Sequence, residues 1–209
     1  MTLLIDGKVE KGIIVLAHGA GAGADHPFME TFAKGVAAAG FQVIRFNFPY
    51  MEKRKEDGRK RPPDRAPKLL EAYENVVRSI PETNKPLIIG GKSMGGRIAS
   101  MLAAGNKSLK IDGLVCLGYP FHAPGKPDRI RTEHFPDISV PTLIVQGERD
   151  PFGGTDLLAG LAVPKNFTVH WAPDGNHDLT PRKASGHSQQ GNWEAAMKAI
   201  AAFADKLQD

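Results

Sequence analysis

Along its length this sequence alternates short, β-rich apolar runs with helix-length amphipathic stretches, and that alternation restricts the fold more than any other feature. The runs are Gly12–Ala17, a segment around Val43–Phe46, Leu87–Gly90, Gly113–Leu117, Thr142–Gln146 and Phe167–Trp171. Gly12–Ala17 (GIIVLA), set between Lys11 and His18, has no polar residue, as a strand covered on both faces requires. Helices are expected over Pro27–Ala39, after Pro67, through Ile98–Ala104, briefly near Thr155–Leu161 and at the C-terminal end. Leu69, Leu70, Tyr73, Val76, Val77 and Ile80 keep one face of the second apolar, and Trp193, Met197, Ile200 and Leu207 do so for the last. Strands separated by crossover helices predict an α/β, three-layer fold with a mostly parallel sheet. With 209 residues, 41% of them hydrophobic, residues 1–209 suffice for one domain with one core. Residues 118–140, between the fourth run and Pro141, hold one short helix at most, so no cap domain is expected.

Composition excludes several classes. The lone Cys116 excludes an intramolecular disulfide and a multi-cysteine zinc site, and neither metal nor cofactor is expected. No apolar stretch approaches the roughly 20 residues that span a bilayer, and the N-terminus has no basic leader. A soluble cytoplasmic protein of undetermined oligomeric state is the expectation. The net charge of +4 is local: residues 53–65 carry Lys53, Arg54, Lys55, Arg59, Lys60, Arg61 and Arg65 against Glu56, Asp57 and Asp64. Three readings of this loop stay open: a solvated loop, a field that steers anionic substrates, or a contact for nucleic acid or chromatin. The absence of stacking aromatics beyond Tyr50 disfavours the last.

In parallel α/β sheets ligands bind beyond the carboxyl ends of the strands, and the unusual residues of this chain fall there. After the third run comes Gly91-Lys92-Ser93-Met94-Gly95, a G-x-S-x-G between strand and helix, the setting of a nucleophile elbow; the alternative is a serine N-cap on a glycine turn. A serine hydroxyl needs a base that is itself oriented by a carboxylate. Asp150 follows the fifth run and His177 the sixth, in the chain order Ser, acid, His. Glu148 is the rival acid and His187 the rival base. Two N–H donors are expected to hold an oxyanion: Met94, and Ala20 from the loop His18-Gly19-Ala20-Gly21-Ala22-Gly23, with Gly21 as second choice. His18 is expected to order that loop rather than to react. Tyr119, Pro120, Phe121 and His122 are candidates for the pocket wall.

Two look-alikes fail. A phosphate-binding P-loop would need glycine where Pro86 stands, and a dinucleotide-binding turn at Gly19–Ala24 would need an acid where Arg45, Phe46 and Asn47 lie.

Together the motifs resemble the α/β-hydrolase superfamily over essentially the whole chain. More narrowly, HGAGAG, FPYMEKR at Phe48–Arg54, GKSMGGR and GNHDL are similar to a group of small predicted hydrolases. That group includes bacterial proteins, a human testis-expressed protein and a subunit of a chromatin acetyltransferase complex. The superfamily resemblance implies hydrolysis of a small-molecule ester or thioester through an acyl-enzyme, with Ser93, Asp150 and His177 at the matching positions. The narrow group implies no particular substrate. Lys92 in the elbow and the missing cap are the departures. The competing class is a non-catalytic interaction module that uses the basic loop 53–65.

Overall fold

The computed structural model describes residues 2–208. Its seven strands are β1 (Leu3–Asp6), β2 (Gly12–Ala17), β3 (Phe41–Phe46), β4 (Leu87–Lys92), β5 (Gly113–Leu117), β6 (Thr142–Gly147) and β7 (Phe167–Ala172). The helices are α1 (Pro27–Ala37), α2 (Pro49–Asp57), α3 (Ala66–Ser79), α4 (Met94–Gly105), α5 (Thr155–Ala159) and α6 (Gln189–Asp205). They build one sheet in the order β1-β3-β2-β4-β5-β6-β7, parallel except for β1. This is the α/β-hydrolase fold, with no separate cap domain.

Why the sheet is covered on both sides can be followed along β2, all six of whose residues are buried. Because side chains alternate along a strand, Ile13, Val15 and Ala17 enter one core, and Ile14 and Leu16 enter the other. The first core is closed by α3, through Leu69, Tyr73, Val76 and Val77, and by α4, through Ile98 and Leu102. The second is closed by α1, through Phe28, Phe32 and Val36, and by α6, through Ala196 and Ile200. Helix α1 starts at Pro27, whose missing N–H costs nothing at a first helical position, while the His26 side chain accepts a bond from Phe28 N–H.

Two elements depart from the sequence expectation. Strand β1 has no counterpart among the expected runs: Leu3–Asp6 runs antiparallel to β3, pairing Leu3 with Phe46 and Asp6 with Val43. A half-buried ion pair locks that edge, with Arg45 Nη2 2.7 Å from Asp6 Oδ2. The stretch after β3, expected as a loop, forms helix α2, which places Lys53, Arg54 and Lys55 of the basic segment on a helix. Boundaries differ too: α1 ends at Ala37, and Leu207 lies beyond α6, although both Met197 and Leu207 pack on the second core.

Candidate active site

At the carboxyl end of β4 the chain turns into α4 so tightly that side chains cannot be accommodated. A Cβ on Gly91 would overlap Ala17 O, and one on Gly96 would sit 2.7 Å from Gly91 O. Ser93, at the corner, adopts φ 52° and ψ −115°, the left-handed half of the map that costs a residue with a side chain on the order of 1–3 kcal/mol. Its N–H bonds Leu117 O on β5 at 2.8 Å, which fixes the corner to the neighbouring strand. Met94 begins α4, so its N–H has no partner within the helix.

The loops after β6 and β7 are drawn together by equally close packing. A Cβ on Gly147 would strike the carbonyls of Gly175 and Asn176, and Arg149 N–H bonds Gly175 O at 2.9 Å. The result is a chain of three side chains. Asp150 Oδ2 lies 2.8 Å from His177 Nδ1, and His177 Nε2 lies 2.9 Å from Ser93 Oγ. The carboxylate of Asp150 is fully buried and accepts two further bonds, from Gln146 Nε2 at 2.9 Å and from Phe152 N–H at 2.8 Å. An ionised carboxylate accepts only, so Nδ1 of His177 carries the proton and Nε2 faces Ser93 as an acceptor.

The rival residues are elsewhere. Glu148 accepts from Asp174 N–H at 2.7 Å, and His187 is exposed ahead of α6. Arg149 pairs with Asp174 at 2.7 Å. Arg182 hydrogen-bonds the same carboxylate and holds its pKa down at about 2. These bonds brace the histidine loop.

The loop after β2 passes in front of the elbow, where a Cβ on Gly19 would come within 3.7 Å of Ser93 Cβ and Lys92. The stretch that follows β3 holds it from below. Nε2 of the buried His18 accepts from Phe48 N–H at 3.0 Å, so Nδ1 bears the proton and donates to Gly19 O at 2.7 Å. Desolvation keeps this imidazole neutral, with its pKa lowered to about 4. Tyr50 Oη lies 3.3 Å from Gly19 O and 3.0 Å from Ala20 O, Arg54 donates to Gly21 O at 3.1 Å, and Ala24 N–H donates to Asn47 Oδ1 at 2.8 Å. In a planar trans peptide the N–H points opposite to the preceding C=O. Carbonyls of Gly19 and Ala20 turned toward Tyr50 therefore aim the N–H groups of Ala20 and Gly21 away from it.

Of the residues expected as a pocket wall, Tyr119, Pro120 and Phe121 are instead buried in the core. Tyr119 and Phe121 pack on Phe135, and Tyr119 N–H donates to Gln146 Oε1 at 2.7 Å. Through its main-chain N–H and carbonyl Tyr119 fixes Gln146, which in turn donates to Asp150. His122 is half-buried, 6.3 Å from the ring of Phe152, which meets His177 edge-on at 4.7 Å. Tyr50, Gln146 and Phe152 thus join the site although the sequence alone assigns none of them to it, Tyr50 standing out only within FPYMEKR and as an aromatic beside the basic loop. Only the position of Phe152, two residues after Asp150, offers a sequence cue. A cavity of about 560 Å³, bordered by Pro86, Leu87 and Asp112, lies at the opposite end of the sheet from Ser93. Among the described residues no group of three or more His, Cys, Asp or Glu side chains could hold a metal ion, and no helix is long and apolar enough to cross a membrane.

The family model of the alpha/beta hydrolase domain matches residues 10–205. The chain belongs to the alpha/beta hydrolase family. Solved structures similar to this hydrolase-family chain share its fold at low identity. Dienelactone hydrolase from Anabaena variabilis is 20% identical with a TM-score of 0.66, over 98% of this chain and 89% of that one. Monoacylglycerol lipase from Paleococcus ferrophilus is 16% identical with a TM-score of 0.67, over 99% and 98%. The esterase domain of a Rhodothermus marinus protein is 14% identical with a TM-score of 0.67, over 97% and 91%.

Proposed function

We propose that this chain, acting as one domain, is a serine hydrolase that cleaves small-molecule carboxylic esters or thioesters through an acyl-enzyme. The observation that carries the reading is the unbroken line Asp150–His177–Ser93, with contacts of 2.8 and 2.9 Å. In this reading Ser93 Oγ attacks the substrate carbonyl carbon while His177 Nε2 removes the hydroxyl proton. Asp150 stabilises the resulting imidazolium and keeps its ring oriented. The tetrahedral oxyanion is held by Met94 N–H and by Ala20 N–H, with Gly21 N–H next to it, each donor worth roughly 3–4 kcal/mol. Collapse expels the alkoxide or thiolate, which takes the proton from Nε2. Water then attacks the acyl-enzyme with His177 again as base, releasing the acid and restoring Ser93. The motif resemblance to small predicted hydrolases supports the reaction class without naming a substrate.

The alternative, a binding module that uses residues 53–65, is less well supported. Three of its cations are engaged within the chain: Arg54 on Gly21 O, Lys55 on Asp25 and Arg61 on Asp57. A serine-directed fluorophosphonate separates the two. It is expected to label wild-type protein at Ser93 and to leave Ser93→Ala and His177→Ala unlabelled. Folded wild-type protein that is not labelled, or is labelled at another serine, would sink the enzyme reading.

A further inference from the structure

Lys92 has no part in that reaction, yet it is the last residue of β4 and the covalent neighbour of Ser93. Its side chain is only 9% exposed, and its ammonium lies 5.3 Å from the centre of the Phe28 ring. Burying an ammonium costs several kcal/mol of solvation, so its retention calls for a partner. Two partners are present, and both belong to the histidine loop. Lys92 Nζ donates to the main-chain carbonyl of His177 at 2.7 Å and lies 3.2 Å from Asp178 Oδ1. Asp178 is 62% exposed, where an ion pair contributes little, so the carbonyl bond matters more.

The surroundings are shaped around this bond. Gly118, in the left-handed conformation at φ 62°, stands where strand β5 ends. A Cβ there would approach His177 O to 2.9 Å, Lys92 Nζ to 3.1 Å and His177 Cε1 to 3.3 Å. The absent side chain leaves room for the ammonium, the carbonyl and the imidazole to meet. Packing alone does not require a cation at this place, because a thioether of similar length could lie against Phe28.

We propose that Lys92 is a positioning residue: its ammonium braces the main chain of His177 against the strand that carries Ser93 and so fixes their separation. The Asp150 and Ser93 contacts orient the imidazole, but neither holds the main chain from which it hangs. Lys92 supplies the second constraint, directly from the residue before the nucleophile. Burial lowers the pKa of this ammonium from the ordinary lysine value while Asp178 opposes the shift, as expected for a cation held in place by the loop it binds.

The proposal rests on the serine-hydrolase reading, and the test keeps the two apart. Inactivation by a fluorophosphonate is followed for the full chain as wild type, Lys92→Met and Lys92→Arg, separating kinact from KI, with a thermal melt for each. Labelling of wild type at Ser93 is the first arm, and its absence would remove the underlying reading. Given labelling, Lys92→Met should fold and lose about ten- to a hundredfold in kinact with KI little changed, the effect of a reacting pair displaced by a fraction of an ångström. Lys92→Arg, which keeps a cation and donors, should recover most of that loss. The bracing role is overturned if Lys92→Met retains wild-type kinact, if the loss falls on KI, if Lys92→Arg is no better than Lys92→Met, or if Lys92→Met does not fold.

Discussion

His18 gives the loop after β2 a dependence on pH that can be worked out from its two bonds. Protonation would put a hydrogen on Nε2, where Phe48 N–H now donates, and would leave two donors face to face in a buried site. The folded chain therefore resists the proton: the imidazole pKa falls from 6.5 to about 4, chiefly through desolvation. Between those values the unfolded chain holds a proton that the folded chain does not, so stability rises with pH through the window. The contribution is complete above the unfolded value and is lost as pH falls toward the folded one. At about pH 5 roughly 2 kcal/mol should already be gone, since a tenfold difference in proton affinity corresponds to about 1.4 kcal/mol. The comparison is with His18→Gln, which cannot titrate. Urea denaturation of both proteins from about pH 7.5 to about pH 5 should show the wild-type advantage shrinking by about 2 kcal/mol. Acidic groups such as Asp57 and Asp174 titrate in both proteins and cancel in the difference. Curves that stay parallel over this range would refute the reasoning, because the imidazole would then not be losing an acceptor role on protonation.

Two further outcomes follow from the geometry of the site. Asp150→Asn should fold and yet slow fluorophosphonate labelling of Ser93 by on the order of 10⁴-fold, because His177 would favour the wrong tautomer, while Glu148→Gln should do far less; a reversal would make Glu148 the orienting acid. Gly96→Ala places a Cβ 2.7 Å from Gly91 O and 3.4 Å from Cys116, backbone and core contacts that cannot yield cheaply. It should lower stability in urea by about 1–3 kcal/mol, and a change within about 0.5 kcal/mol would contradict the close-packed account of the elbow.

The central strands are legible because they are covered on both faces and so are written as unbroken apolar runs. Strand β1 is not, since it is a four-residue edge strand with Ile5 56% exposed, and its pairing with β3 depends on residues some forty positions away. Helix α2 is hidden for a related reason. Only Tyr50 and Met51 are buried among its nine residues, so no apolar stripe announces it; it is set by Pro49 at its start and by tertiary bonds to the loop after β2. Ser93, Asp150 and His177 can be picked out because each stands at a strand end within a short local motif. Gln146 cannot, because a glutamine inside a strand looks like a buried polar accident. Its purpose depends on Tyr119, Asp150 and Gly153 arriving around it. Tyr50 falls within the FPYMEKR motif, but its structural part is hidden in sequence, since its hydroxyl partners lie about 30 residues upstream.

The interlock between the segment after β3 and the loop after β2 also governs which substitutions the two can accept. Phe48, Tyr50, Arg54 and Asn47 together hold a backbone amide, three carbonyls and an imidazole placement at residues 18–24. A substitution in one segment is thus judged by what the other already contains. Tyr50 is useful only where Gly19 and Ala20 turn their carbonyls toward it, and His18 only where the Phe48 amide points at its ring. Such reciprocal dependence makes the pair epistatic. Neither segment can be grafted alone onto another scaffold of this fold and be expected to keep its shape.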